Sequence, residues 1–187
     1  MSNNELEKNN LLYCAHEGKN NMWLYFEHAS DTLFMVDPIA PSFESINFIE
    51  DLRPKKKYII LTACQIEKKH NIPLWRGVFS DIGIISPDPT FFQNEYIISE
   101  NTITTFNETS NLSLLSVIVD ESHRLCIYNA PYLFLGELTY NIFINKDETS
   151  ASALLSSFFK QCDSNTICLC SFGPISLLES IHTMIAL

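Results

Sequence analysis

The chain has 187 residues, of which 46% are hydrophobic and 18% charged, with a formal net charge of −10. This length suits one domain with its own core, and the acidic balance argues against a nucleic-acid partner, which would need a surplus of Lys and Arg. No apolar run approaches the roughly 18 residues of a membrane span, so no membrane partner is expected.

The N-terminus and the cysteines indicate the compartment. Residues 1–10 are polar and partly acidic, so they lack the basic start and apolar centre of a secretory signal. We expect them to form a flexible leader ahead of a single domain over residues 11–187. Most of the six cysteines lie in apolar runs, and Cys168 and Cys170 are expected to pack beneath a helix rather than act in redox chemistry. These features predict a cytoplasmic protein.

The first half of the chain predicts an antiparallel meander followed by a crossover. Polar turns separate three strand-like runs, Leu11–Cys14, Met22–Glu27 and Thr32–Val36. Apolar residues at helical spacing then predict a helix that begins after the N-cap Ser42 and ends at Leu52. The strand Lys57–Leu61 follows, and the order strand, helix, strand indicates a crossover between parallel strands.

The second half predicts more strands and three helices. The expected strands are Ile82–Ile85, Glu95–Ile98, Thr102–Phe106, Ser113–Val119, Arg124–Tyr128 and Thr166–Cys170. The expected helices lie near Lys68–Trp75, Ala151–Phe159 and Ile175–Ile185. Two β-rich halves, each ending in a strand and a helix, predict an α/β fold with two packed sheets and helices outside.

The order of these motifs resembles the metallo-β-lactamase fold, the four-layer αββα sandwich of glyoxalase-II-type thioesterases and related hydrolases. The segments that carry the resemblance are 33-LFMVDP-38, 61-LTACQIEKKHNIPLW-75, 106-FNETSNLSLLSVIV-119, 125-LCIYNAPYLFLG-136 and 167-ICLCSFGP-174. They are similar, in that order, to a strand ending in aspartate, the T-H-x-H-x-D-H loop, the G-H-T-x-G-S loop, the T-G-D-x-x-F-x-G strand and the G-H-G-P loop. The resemblance covers nearly the whole chain.

The resemblance also assigns the positions that hold the dinuclear metal site in active members. The three histidines of the main loop fall on Ala63, Gln65 and Lys68, and its aspartate falls on Glu67. The later histidine, the bridging aspartate and the last histidine fall on Glu108, Ala130 and Phe172. Zinc hydrolases need about three protein ligands and an open position for water. The resemblance therefore implies no metal, no cofactor and no catalytic residue of the usual kind.

A residual set of polar side chains remains near the main loop, and the sequence leaves its use open. Its members are Cys64, Glu67, Lys68, His70 and Glu108. Lys68 could pair with Glu67 or Glu108 in the emptied cavity, or these side chains could point into water. A rearranged metal or thiol site is a further alternative.

The leading interpretation is a catalytically inactive metallo-β-lactamase-fold protein that acts as a binding, scaffolding or regulatory module. Its expected partner is a protein or a second copy of the chain in a homodimer. The alternative is a hydrolase with an atypical, rearranged active site in the same cleft. A small-molecule sensor is a third interpretation, which predicts an open pocket near Ala63, Ala130 and Phe172.

Overall fold

The structure, a computed structural model, is built around two β-sheets that face each other. It describes residues 10–63, 66–87, 98, 103–107, 110–119, 122–136, 149–163, 165–171 and 176–177. Sheet A consists of β1 (Leu11–Glu17), β2 (Asn20–Glu27), β3 (Thr32–Val36), β4 (Lys56–Ile60) and β5 (Ile82–Ile85), in that spatial order. The first three strands are antiparallel, and β3, β4 and β5 are parallel.

Two helices provide the crossovers of sheet A. Helix α1 (Phe43–Leu52) connects β3 to β4, and α2 (Ile66–Val78) connects β4 to β5. Ser42 caps α1, because its side chain accepts a hydrogen bond from the Ser45 amide, while the Ser45 side chain accepts one from the Ser42 amide. None of the helices in the described ranges is long and apolar enough to cross a membrane.

Sheet B is formed by the second half of the chain. Its described strands are β6 (Ile103–Asn107), β7 (Ser110–Val119), β8 (Ser122–Asn129), β9 (Tyr132–Gly136), β10 (Ile167–Cys170) and β11 (Ser176–Leu177). They lie in the order β11-β10-β9-β8-β7-β6, and all neighbours are antiparallel except β9 and β10, which are parallel. Helix α3 (Thr149–Phe159) precedes β10.

Three apolar clusters hold the layers together. One fills the space between the sheets and includes Tyr25, Phe34, Leu114 and Phe134. A second packs α1 and α2 on the outer face of sheet A, and a third packs α3 on the outer face of sheet B. The layers are therefore α, β, β, α, which confirms the predicted α/β architecture.

A buried carboxylate joins the two sheets at one end of the sandwich. Glu27, at the end of β2, is 1% exposed. Its Oε1 accepts hydrogen bonds from Asn129 Nδ2 (2.7 Å) and from the Asn111 amide (3.2 Å), both in sheet B. Its Oε2 accepts one from Ser30 Oγ at 2.5 Å. Every contact is therefore a donor aimed at a charged acceptor, which is the arrangement a buried carboxylate needs.

Several sequence-based expectations need correction. Asn10 was assigned to the leader, but its side chain donates to the Tyr25 hydroxyl (2.6 Å) and accepts from the His28 amide (3.2 Å). The helix expected over Ile175–Ile185 is wrong at its start, because Ser176 and Leu177 form a strand paired with β10. The rest of that range and most of the expected strand Glu95–Ile98 lie outside the described residues.

We predict that Glu27→Gln lowers the free energy of unfolding by about 3 kcal/mol, since an amide group would face donors where the carboxylate now accepts. Urea unfolding followed by circular dichroism measures this change. Asp163→Asn is the matched control, because Asp163 is exposed and the same chemical change there should cost nothing measurable. Equal stabilities of the two variants would contradict the role given to Glu27.

Candidate functional site

The opposite end of the sandwich carries a second buried carboxylate, Asp37, which follows β3 and is 1% exposed. Its Oδ1 accepts a hydrogen bond from the Thr62 amide at 2.9 Å. Its Oδ2 accepts from Thr62 Oγ1 at 2.5 Å and also from Ser171 Oγ. Asp37 adopts a left-handed backbone conformation (φ 53°), which costs free energy for a residue with a Cβ, so these hydrogen bonds have to compensate that cost.

The ends of five strands meet at this carboxylate. Asp37 and Thr62 follow β3 and β4, and Ser171 follows β10. The Ser171 amide donates to the carbonyl of Gly136, the last residue of β9, and the Ser171 carbonyl accepts from the Asn21 amide of β2, both at 2.8 Å. We call Asp37, Thr62, Gly136 and Ser171 the Asp37 node. It links sheet A to sheet B through polar contacts alone.

Ala63, which the sequence resemblance assigns to the first metal-ligand position, lies directly beside the Asp37 node. It is fully buried and forms an isolated β-bridge with Arg124 of β8. The Thr62 carbonyl accepts a hydrogen bond from the Leu125 amide at 2.8 Å, which extends this contact between the sheets. Paired residues in a bridge place their Cβ atoms on the same side, about 5 Å apart. The side chain of a permanently charged arginine therefore starts beside the Ala63 methyl group.

The other residues of the predicted main loop are described only in part. Cys64 and Gln65 lie outside the described residues. Glu67 and Lys68 are in the first turns of α2, but their side chains are not described, so the proposed pairing of Lys68 stays a prediction. His70 lies on the exposed side of α2, whereas Ile72 and Trp75 lie on its buried side.

Ala130 does not lie with Ala63, which corrects its assignment to the bridging-aspartate position. The run 125–136 is not one strand but a hairpin, in which Ala130 and Pro131 form the exposed turn between β8 and β9. The length of β9, about 13 Å at 3.3 Å per residue, separates this turn from Gly136 at the Asp37 node. Ala130 follows Asn129 and therefore lies at the Glu27 end. Leu135 and Gly136 end β9 at the Asp37 node, and Glu137, the next residue in the sequence, lies outside the described residues.

Glu108 and Phe172 also lie outside the described residues. The strands that flank Glu108, β6 and β7, meet near Ser110, and the adjacent Asn111 amide donates to Glu27. Phe172 directly follows Ser171 of the Asp37 node, and nothing further is described of it.

The described residues do not fit a metal centre of the family's type. Within these ranges no three His, Cys, Asp or Glu side chains are placed to hold one ion. Ala63 supplies no donor atom, and both oxygens of Asp37 already accept hydrogen bonds from the protein. No chemical step through a metal can be derived from this arrangement.

An open cavity of about 450 Å³ lies near the site, on its sheet A side. It is lined by the end of β1 and by the segment between β3 and α1, with His16, Glu17, Ile39 and Ser42 among its residues. The His16 ring nitrogen Nδ1 lies 2.7 Å from Asn21 Oδ1, and Asn21 Nδ2 donates to the Cys170 carbonyl. Neither Ala63 nor Ala130 lines this cavity, so it is not the vacated cleft that a sensor would use.

The cysteines of sheet B pack beneath α3. Cys126 and Cys168 are fully buried in the cluster that contains Phe158 and Phe159, and Cys162 and Cys170 pack against it. Burial raises the pKa of the Cys162 thiol to about 11 and that of Cys168 to about 12. Thiols with such values are protonated at neutral pH and are poor nucleophiles, which agrees with the expected packing role.

Sequence reasoning missed most of the Asp37 node. Asp37 was recognised only as the end of a strand, and Thr62, Gly136, Ser171 and Arg124 were not singled out. A usable signal was present, since Asp37, Thr62 and Ser171 each follow an apolar strand directly, and strand ends of one sheet edge converge. Which strand ends lie next to each other, however, depends on how the strands pair in the folded protein, and the local sequence does not determine this pairing.

Searches among known proteins agree with this description. No family model matches the chain, and no curated protein matches its sequence. Solved structures do match. The match to ETHE1 from Myxococcus xanthus has a TM-score of 0.63 and 9% sequence identity, and it covers 91% of this chain and 80% of the ETHE1 chain. The match to the BLEG-1 B3 metallo-β-lactamase has a TM-score of 0.65 and 12% identity, and it covers 92% of this chain and 97% of the other. The match to the DIM-1 metallo-β-lactamase has a TM-score of 0.65 and 11% identity, and it covers 96% of this chain and 92% of the other. The chain has the metallo-β-lactamase fold, and identities this low show the fold alone.

We predict that Gly136→Ala destabilises the protein by about 2 kcal/mol more than Gly18→Ala. Both glycines have positive φ angles, of 59° and 63°, so both substitutions carry the cost of a left-handed alanine. Only at Gly136 would the new Cβ overlap Thr62, whereas a Cβ at Gly18 meets nothing within 4 Å. Thermal and urea unfolding measure the difference, and equal losses at the two sites would show that the Gly136 contact does not matter.

Proposed function

We propose that this protein is a non-catalytic metallo-β-lactamase-fold module that binds, scaffolds or regulates, and that it has no metallohydrolase activity. The observation that supports the proposal most is the bridge between Ala63 and Arg124. In this bridge, a methyl group and the base of an arginine side chain lie at the residue that the sequence resemblance assigns to the first metal ligand.

The electrostatics of this position favour the proposal. A hydrolytic zinc ion needs about three ligand side chains and an open position for water. A cation at this site would lack a ligand from position 63, and the side chain that begins beside this position belongs to an arginine, which carries a positive charge rather than a donor atom for a metal. The one buried carboxylate described nearby, Asp37, already accepts hydrogen bonds from Thr62 and Ser171 on both of its oxygens.

A protein partner is the binding role we favour. A fold kept without its reaction can still present surfaces, and function resides in such sites rather than in the fold. The net charge of −10 disfavours nucleic acid, and exposed apolar side chains on α1 and α2 offer contacts to a protein. We propose a cytoplasmic setting, because Cys126 and Cys168 serve as buried apolar side chains that have to stay reduced.

The alternative is a hydrolase with a rearranged site in the same cleft, and one observation favours it. Gly136 contacts Thr62, and the next residue in the sequence is the carboxylate Glu137. In the sequence, 136-GE-137 is thus a glycine followed by a carboxylate, as in the G-D of the family's T-G-D motif. A site of this kind would have to recruit ligands other than position 63.

Metal content and turnover decide between these functions. We predict well under one equivalent of zinc, iron or manganese per chain after expression in supplemented medium, measured by plasma mass spectrometry, and no turnover of thioester, lactone or β-lactam substrates above the blank. A metal-loaded β-lactamase of the same fold serves as the positive control. About one metal per chain, together with turnover that a chelator removes and Glu137→Gln abolishes, would establish the hydrolase instead.

A further inference from the structure

The exposed apolar side chains of the protein are concentrated on one layer. The described residues include five large exposed hydrophobics, and three of them lie on α1 and α2: Phe43 (76% exposed), Leu74 (52%) and Val78 (39%). The other two, Ile103 and Ile118, lie on separate strands of sheet B. Scattered apolar residues are ordinary, but a grouped set on neighbouring helices indicates a contact surface.

Helix α1 is acidic on its exposed side. Its sequence contains Glu44, Glu50 and Asp51 and no basic residue. Phe43, Glu50 and Asp51 are related by seven and eight positions, so they share one face of the helix. All three are exposed, while Ile49 faces sheet A. The face of α1 that points away from sheet A therefore combines an aromatic ring with negative charge.

Helix α2 is basic, in contrast to the chain as a whole. It contains Lys68, Lys69 and Arg76 against a single acid, Glu67, and so holds three of the 12 Lys and Arg residues of the chain. Leu74 and Val78, four positions apart, are exposed beside Arg76. The outward face of α2 therefore combines aliphatic side chains with positive charge.

The two helices lie on the same face of sheet A. Trp75 Nε1 donates to the Ile39 carbonyl at 2.8 Å, and Asn71 Nδ2 donates to the Pro38 carbonyl at 3.0 Å, which fixes α2 to the segment that leads into α1. Both helices connect neighbouring parallel strands of sheet A and pack on the same face of that sheet, so they run in the same direction. We call their exposed sides the α1–α2 surface.

We propose that the α1–α2 surface binds a second copy of this chain. A two-fold axis parallel to the helices and between them would place α1 of each copy on α2 of the other. Acidic α1 then meets basic α2 twice, and Phe43 of each copy meets the aliphatic side of the opposite helix. Such an interface is self-complementary, as a two-fold dimer requires. This inference rests on the proposed binding function and names its partner.

Charge explains why the partner should be a second copy bound in this way. Two chains of net charge −10 repel each other in most orientations. Self-association therefore needs a surface with separate acidic and basic parts, so that the acidic part of each copy can contact the basic part of the other. Helices α1 and α2 provide these two parts. Helices about 15 and 20 Å long give a footprint smaller than the roughly 800 Å² per partner of a standard interface. The expected dimer is therefore weak and depends on concentration and salt.

Sedimentation velocity of the full chain over about 1–100 μM tests the inference, a range that suits weak interfaces. The wild type should dimerise, and Leu74→Ser should weaken the dimer about tenfold, as loss of a central apolar contact does. Ile118→Ser is the matched control, because it also replaces an exposed aliphatic residue but lies on sheet B, and it should leave the dimer intact.

A charge exchange makes the test specific. Arg76→Glu and the double variant E50K/D51K should each be monomeric, because each homodimer would bring like charges together. A mixture of the two should form a heterodimer, in which both helix contacts again join opposite charges. A monomeric wild type, a dimer that tolerates Leu74→Ser, or a mixture that stays monomeric would each overturn the proposal. These outcomes concern mass alone, so they are distinguishable from the metal and turnover results that would overturn the proposed function.

Discussion

The hydrogen bonds that the Asp37 carboxylate accepts from Thr62 and Ser171 are the constraint on which the site end of the fold depends. A buried charge is tolerated only when donors surround it, and here the donors come from the end of β4 in sheet A and the end of β10 in sheet B. Removing either donor would leave part of a buried charge without compensation. The carboxylate therefore fixes how the two sheets meet at the end of the sandwich that carries Ala63.

The other end of the sandwich follows the same principle. Glu27 accepts hydrogen bonds from Ser30 in the turn between β2 and β3 and from Asn111 and Asn129 in sheet B. The apolar cluster between the sheets lies between these two buried carboxylates. Because polar contacts are directional, they fix the relative position of the sheets in a way that apolar contacts do not. Hydrogen bonds to a buried carboxylate therefore join the two sheets at each end of the sandwich.

The sequence predicted the elements well where local chemistry determines them. Thr32–Val36 and Ile82–Ile85 are confirmed to the residue, and so is the N-cap Ser42. The prediction failed at Ala130, because the apolar run around it gives no periodicity signal for a reversal of the chain. Pro131 has no amide hydrogen to donate to a neighbouring strand, and the turn at this residue was not recognised. As a result, the residue that was assigned to the metal site lies at the opposite end of the sheet. The Arg124 contact was also out of reach, since it depends on how β4 and β8 meet in space.

The central claim is that hydrogen bonds to Asp37, rather than a metal ion, hold the site end together. The most direct measurement is the thermal unfolding midpoint of the wild type and of Asp37→Asn, each with chelator and with excess zinc. We expect zinc to leave the wild-type midpoint unchanged, and Asp37→Asn to lower it by about 6 °C or more, from a loss of about 3 kcal/mol. A ligand that binds only the native state raises its stability. A wild-type midpoint that rises with zinc, or an Asp37→Asn midpoint equal to that of the wild type, would contradict the claim.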